Sequence, residues 1–338
     1  MKIIFPSISV VIATFNSERT LDLCLEKLNV QEYDKKKMEI IVVDGGSKDS
    51  TLKIAKSYGA KVIRVDPKKQ NAEYNKGIGL KYAKGEIVLF LDHDNIIPHT
   101  IWLKNIVQPF LEDKDIVGSE PLRFHYDPKM TPLDRYFALF GGSDPVVYYL
   151  GKNSHLPWSS EKYNLLGKAV DKGKYYKIIF SRNALPALGG NGAAIKRKLL
   201  LTHAESDPDH FIHTDVVADL VGKGFNNYAI IKESIIHLTN NKTIPFLQRR
   251  VYFMEKYQLS VLKQRRYKVY DPERDKLKLL LFIVFALTFI IPFLGSIRGY
   301  LKVRDMAWFL HPFMCFAFLI IYSIPVFRGG VKNVILGK

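Results

Sequence analysis

Over the first hundred residues, short apolar runs alternate with stretches whose apolar positions recur at helical spacing. SVVIATF (9–15) precedes 18–30, where Leu21, Leu25 and Leu28 share one helical face and Ser17 is placed to cap it. EIIVVD (39–44) precedes GGSKDS and a helical stretch over 51–58. KVIRVD (61–66) precedes another over 72–84, and EIVLFLDHD (86–94) closes the series. Continuous apolar strands separated by helices predict an α/β fold built on a doubly wound, mainly parallel sheet. Ligands of such sheets sit beyond the carboxyl ends of the strands. The polar residues that fall there are Thr14, Asn16, Asp44, Asp66, Asp92 and Asp94.

The pattern changes near the C-terminus. Residues 277–297 carry one charge, Lys278, and 306–327 carry none. As helices each spans roughly 31–33 Å, about one hydrocarbon thickness. Buried core helices are the alternative, but globular helices of this length usually keep a polar face. Pro292, Pro312 and Pro325 fall within these runs, and membrane helices tolerate proline better than soluble ones. The connector RGYLKVRD is too short for a domain, so the expectation is a C-terminal two-helix transmembrane hairpin. The division is then 1–243 catalytic, 244–276 juxtamembrane, and 277–338 hairpin and tail. Residues 244–262 mix Phe246, Leu247, Val251 and Met254 with Arg249, Arg250 and Lys256. That mixture suits a helix in the headgroup plane or one packed on the soluble part.

Charge sharpens this picture. Lys and Arg number 50 against 33 Asp and Glu, a net +17, while 47% of residues are hydrophobic, which excludes a disordered chain. A basic excess suits nucleic acid, an anionic membrane or a polyphosphate ligand. Lys263, Arg265, Arg266, Lys268, Arg274, Lys276 and Lys278 lead into the first apolar run, and Arg328, Lys332 and Lys338 follow the second. This placement favours the membrane and removes nucleic acid as a partner. Arg298, Lys302 and Arg304 in the connector weaken the contrast without reversing it, so the expectation is a two-span cell-membrane protein with a cytoplasmic catalytic domain. The N-terminal apolar run is broken by Pro6 and Ser7 and reads as a buried strand, not a signal peptide. Two cysteines, Cys24 and Cys315, exclude a disulfide scaffold and read as apolar fillers.

Two features carry chemistry. Asp44 ends an apolar strand and is followed by Gly45 and Gly46, either a ligand-holding carboxylate or a plain strand-to-helix turn. Asp92 and Asp94 end a very apolar strand two residues apart, which in a strand puts both on one face. Two such carboxylates repel unless a cation or another partner sits between them, and hard oxygen ligands suit Mg²⁺ or Mn²⁺.

VVIATFN, VVDGGSKDST and NKGIGLKYAKGEIVLFLDHD, followed by GGNGAAIKRKLL and HTDVVADLVGKGF, resemble the family 2 inverting glycosyltransferases of GT-A fold. The resemblance covers most of 7–240 except about 120–180. It implies a nucleotide-sugar donor, GDP- or UDP-linked, and a divalent cation. Ala13, Thr14, Asn16, Asp44 and Asn75 would hold the nucleotide with Asp92. Asp94 would bind the metal with Asp92 and His237, Asp215 would be the catalytic base, and Gly190 and Asn191 would face the donor sugar or acceptor. Thr214 replaces the family's usual Glu, and Tyr74 stands where relatives have Arg, leaving Lys76 or Lys69 to supply that charge. His210 and His213 read as polar loop groups.

The apolar C-terminus makes a polyprenyl (dolichyl-type) phosphate the economical acceptor, its phosphate near Arg249 and Arg250. The divergent stretch falls where an acceptor-binding insertion would. The chain then resembles polyprenyl-phosphate glycosyltransferases. Extension of a lipid-linked oligosaccharide or polysaccharide, and a non-catalytic membrane-anchored nucleotide-sugar binding protein, are the alternatives; a homo-oligomer is left open.

Overall fold

A computed structural model of the chain describes residues 4–239, 242–254 and 264–329. Lys263, the end of the 244–262 stretch, and Lys332 and Lys338 lie outside the described residues. In chain order the elements are β1 (Ile8–Thr14), α1 (Glu18–Asn29), β2 (Met38–Asp44), α2 (Thr51–Ser57), β3 (Lys61–Arg64), α3 (Ala72–Tyr82), β4 (Ile87–Asp92), β5 (Asn95–Ile96), α4 (Trp102–Glu112) and β6 (Gly118–Phe124). Next come α5 (Pro132–Phe140), α6 (Pro145–Tyr149), β7 (Lys168–Asp171), β8 (Tyr175–Ile179), β9 (Ala193–Lys196), α7 (Arg197–His203), α8 (His213–Gly222) and β10 (Asn227–His237). The last four are α9 (Thr243–Phe253), α10 (Pro272–Thr288), α11 (Ile290–Lys302) and α12 (His311–Gly329). The chain divides into two compact units, one of residues 1–125 with 166–238, the other of 126–165 with 239–338.

The first unit holds one sheet of order β3-β2-β1-β4-β9-β6-β10-β8-β7, with β5 paired to β10. β3, β2, β1 and β4 are mutually parallel, as the alternating pattern predicts. Beyond β4 the sheet is mixed instead of mainly parallel. β9 runs antiparallel to both β4 and β6, and β8 is antiparallel to β10 and β7. The reason is connectivity: a parallel neighbour needs a long crossover, which the β7–β8 hairpin lacks. The order reverses at β1, flanked by β2 and β4, so the carboxyl ends of these strands open a crevice at the switch point.

Val10, Val11, Ile12, Ile41, Val42, Leu89 and Phe90 are fully buried, each contributing on the order of 1.5–3 kcal/mol through removal of apolar surface from water. α3 lies close against β1 because Gly79 faces it: a Cβ there would meet Val11 Cγ1 at 2.3 Å. Ser17 stands at the start of α1 as expected, but its hydroxyl accepts from the Phe15 N–H (3.1 Å) and makes no cap bond.

The second unit packs the helices of the divergent stretch with the C-terminal ones. Leu133, Phe137 and Phe140 on α5 form one core with Phe282, Trp308, Cys315 and Phe318. The expected first span over 277–297 is not one straight helix. α10 stops at Thr288, Phe289 takes a left-handed conformation (φ 62°), and α11 departs at 82° to α10. Pro292 explains the break: within a continuous helix its ring would clash with the Thr288 carbonyl and it lacks the N–H for that bond. In the first turn of α11 neither matters. Among the described residues one stretch, Met306–Ile324, is by itself long and apolar enough to cross a membrane, with 44% of its most apolar window buried.

Candidate functional site

The crevice is built first by strand register. Thr14 of β1 lies opposite Asp44 of β2, and Ala13 lies opposite Asp92 of β4. Asp44 is fully buried, and its Oδ2 accepts the N–H groups of Gly46 and Ser47, both at 2.9 Å. Thr14 Oγ1 donates to its Oδ1 at 3.3 Å. Asn16 takes a left-handed conformation (φ 49°), donates its N–H to Ser47 Oγ (2.8 Å) and accepts from the Lys48 N–H (2.9 Å). The loops after β1 and β2 are thereby tied together, as a platform for a flat ligand requires. Asn75, on α3, is fully buried; its Nδ2 donates to the Val43 carbonyl at 3.3 Å and its Oδ1 has no hydrogen-bond partner.

Asp92 and Asp94 do not share a strand face. β4 ends at Asp92, and Asp94 lies in the turn before β5. Each carboxylate has its own partner. Lys76, 1% exposed, brings Nζ to 2.9 Å from Asp92 Oδ1. Burial works against the Lys76 charge, but Asp92 and Glu73 outweigh it and raise its pKa. β5 pairs with β10, placing His237 opposite Asn95, and His237 Nε2 then lies 3.6 Å from Asp94 Oδ2. Burial alone would raise the Asp94 pKa; His237 and His93 overcome it and hold the carboxyl down to about 2. Asp94 Oδ1 is buried with no hydrogen-bond partner.

An ionised carboxylate with a spare buried oxygen beside an imidazole fits a divalent cation whose remaining ligands come from phosphate and water. Asp92 is committed to Lys76, and no group of three or more His, Cys, Asp or Glu placed to hold a metal occurs among the described residues. The candidate ligands for a metal are therefore two, Asp94 and His237.

Three residues central to this rim have no site role in the sequence reading. Asn95, fully buried, accepts the Asp92 N–H (3.0 Å) and donates to Asn191 Oδ1 (3.0 Å), linking the acidic turn to the glycine-rich loop. Glu73 Oε2 accepts the His213 N–H and Oε1 lies 2.8 Å from His213 Nδ1. Burial opposes ionisation of Glu73, yet His213 and Lys76 bring its pKa down to about 2. His213 is thus not a loop group: it begins α8, and its ring flanks Gly190, where an added Cβ would stand 3.5 Å from Nε2. His210 does pair at the surface, 3.6 Å from Glu205.

α8 begins at His213, so Asp215 occupies its third position, fully buried, after Ile212 at the cap. Its N–H donates to the Ile212 carbonyl (2.9 Å). Gly189 (φ 99°) lies tight against this helix start, where a Cβ would be 2.8 Å from the His213 carbonyl oxygen. That contact sets Gly189 and Gly190 against His213 at the start of the helix that carries Asp215.

Of the two lysines offered for the Tyr74 departure, Lys76 is the buried one. Lys69 is exposed, 3.1 Å from Asp209 and over the Tyr74 ring. In the second unit Arg249 is exposed on α9, while Arg250 donates from Nη2 to Asp144 Oδ2 at 2.7 Å, with the Tyr322 hydroxyl on the same carboxylate oxygen. Asp144 also caps α6, so Arg250 is occupied in holding helices together.

A sequence profile described as Glycosyl transferase family 2 matches residues 9–179. Glycosyltransferase AglE of Haloferax volcanii is 32% identical over 136 residues, 39% of this chain and 44% of that protein. The dolichyl N-acetyl-alpha-D-glucosaminyl phosphate 3-beta-D-2,3-diacetamido-2,3-dideoxy-beta-D-glucuronosyltransferase of Methanococcus voltae is 33% identical over 111 residues, 30% of this chain and 33% of that protein. The matched stretch is under half the length of each. Among solved structures, the mannosyltransferase PcManGT of Pyrobaculum calidifontis, in complex with GDP-Man and Mn²⁺, superposes with a TM-score of 0.51 at 15% identity, covering 97% of this chain and 89% of that one. That likeness concerns the fold.

Proposed function

Since the chain belongs to glycosyl transferase family 2, we propose that it moves a sugar, with inversion, from a GDP- or UDP-linked donor to a polyprenyl- or dolichyl-type phosphate at a membrane. The observation that carries the reading is the meeting at one sheet rim of buried Asp44, the Asp92–Lys76 pair, and Asp94 with His237.

Ala13, Thr14, Asn16, Asp44 and Asn75 bind the base and ribose, with Asp92 and Lys76 at the ribose–phosphate junction. Asp94 and His237 would hold Mn²⁺ or Mg²⁺, which supplies charge neutralisation for the departing diphosphate. Gly190 and Asn191 orient the sugar, and the close approach of Gly189 to α8 narrows the space for water beside it. Asp215 faces the attacking oxygen and takes the proton of an acceptor that still carries one. Attachment to the membrane comes from the C-terminal apolar helices, and exposed Arg249 contacts the lipid phosphate.

The second reading is extension of a lipid-linked glycan. The M. voltae relative, named as a transferase acting on a dolichyl sugar phosphate, favours it. The two differ in the demand on Asp215: a sugar hydroxyl must lose its proton, whereas a phosphate is largely ionised at neutral pH.

The test is incubation of purified protein with a panel of nucleotide sugars, Mn²⁺ and either a polyprenyl phosphate or its monosaccharide derivative, with products identified by mass. One donor is expected to give a glycosylated phospholipid. Asp94→Ala should abolish it, and Asp215→Asn should keep metal-dependent nucleotide binding while slowing turnover by about 10²–10⁴-fold on a sugar-hydroxyl acceptor and far less on a phosphate. Nucleotide binding with no product from any donor would make the chain a binding protein and overturn the proposal.

A further inference from the structure

Both ends of the bent α10–α11 pair are tied to one short stretch of chain. At its start, Lys152 Nζ pairs with Asp275 Oδ2 at 2.5 Å and Lys278 Nζ donates to the Leu150 carbonyl at 3.0 Å. The Tyr149 ring meets Phe282 there at 5.6 Å. At its far end, Asp305 accepts from the Tyr126 hydroxyl (2.7 Å) and lies 3.5 Å from Arg135 Nε, and Lys302 pairs with Glu161 at 2.9 Å. Residues 126–165 contain no apolar run of membrane thickness. A two-span hairpin would hold 298–305 across about 30 Å of hydrocarbon from 271–278, yet the same segment reaches both.

α12 is likewise bound along its length. His311 lies 3.0 Å from the Tyr136 hydroxyl and 3.1 Å from that of Tyr149, and Tyr322, three turns on, donates to Asp144. Met314, Cys315 and Phe318 face the core, while Phe313, Phe316 and Ile320 remain exposed on the opposite stripe.

That stripe continues an apolar surface on the bent pair, where Leu280, Leu287, Ile290 and Phe293 are 48–60% exposed. Its charges are mostly of one sign, with Glu273 exposed at the start of α10 and Lys302 paired with Glu161 as the exceptions. Lys276, Lys278, Arg298, Lys302 and Arg304 are all exposed, and the sole acidic residue between 276 and 329, Asp305, is buried. A second copy of the chain would set these cations against their own counterparts. An anionic lipid surface complements them, with the apolar side chains entering the acyl region and the cations at the phosphates.

We propose that α10, α11 and the outer stripe of α12 seat in a single leaflet of an anionic membrane, with α10–α11 entering and returning on one side without crossing. This rests on the membrane attachment proposed above, and it replaces the two-span hairpin as the means of attachment.

Two measurements on the full chain test it. In inverted membrane vesicles, a membrane-impermeant maleimide should label Arg304→Cys as fully as Lys168→Cys, a control on the exposed β7; Cys24 and Cys315 are buried and give little background. Labelling of Arg304→Cys only after detergent would overturn the proposal. In flotation, the protein should bind vesicles of phosphatidylcholine mixed with phosphatidylglycerol and bind roughly ten-fold less to phosphatidylcholine alone.

The combined variant Leu280→Gln, Leu287→Gln, Ile290→Gln should lose flotation while keeping its melting temperature and its turnover on a water-soluble short-chain acceptor. A dimer in solution that ignores both vesicle types would identify a second copy as the occupant and overturn the proposal. Correct labelling and flotation without transferase activity would leave the leaflet seat standing and defeat only the enzymatic reading.

Discussion

Glu120 offers the sharpest physical test, because its sign is fixed by burial alone. It lies on β6 at 3% exposure; Oε2 accepts the Gly189 N–H at 3.1 Å, and Oε1 has no hydrogen-bond partner. Burial lifts its pKa from 4.5 to about 8, and the single N–H offsets little of that. The unfolded chain therefore releases this proton near pH 4.5, whereas the folded protein keeps it until about pH 8. Between those limits the unfolded state binds fewer protons, so stability falls as pH rises and levels off above the folded value. At about 1.4 kcal/mol per pH unit the full window corresponds to roughly 5 kcal/mol, and local relaxation reduces this to about 2–5 kcal/mol.

Glu120→Gln keeps an oxygen for the Gly189 N–H and cannot ionise. Its amide N–H₂ replaces the O–H of the neutral acid, so near pH 4.5 the two proteins should agree within about 1 kcal/mol. At pH 8 the variant should be the more stable by about 2–5 kcal/mol. Urea midpoints followed at half-unit pH steps read the difference directly. Parallel curves for the two proteins would refute the reasoning and mean that Glu120 ionises in the fold near its ordinary pH.

Two further substitutions probe the same unit. Lys76→Met removes the buried cation beside Asp92 and near Glu73 and should lower stability by about 2–4 kcal/mol, since Asp92 loses its partner and Glu73 keeps only His213; an unchanged urea midpoint would show that the pair contributes nothing. Gly79→Ala gains up to about 1 kcal/mol of helix propensity but sets a methyl 2.3 Å from Val11 Cγ1. The clash, about 1–3 kcal/mol, should win and lower the melting temperature by several degrees; a rise would mean that α3 moves away from β1 at no cost.

The amino-acid pattern alone was enough for β1 to β4, the intervening helices, and the carboxylates at their ends, because fully buried strands carry an unbroken apolar signal and ligands of such sheets gather at one rim. Thr14 and Asp44 were legible for that reason. Partners supplied by distant chain were not. His237 reaches Asp94 only through the β5–β10 pairing, His213 meets Glu73 only once α8 begins at its own position, and Asn95 and Glu120 sit among ordinary polar residues until burial makes them special. Likewise composition marked 277–297 as apolar enough for a span, but composition does not encode direction. The turn at Phe289 and the ties of Asp275 and Asp305 to residues 126–165 are tertiary facts. Sequence sets which side chains avoid water; where the polar ones find their partners, and whether a greasy helix runs straight or doubles back, is decided by long-range packing that no local window contains.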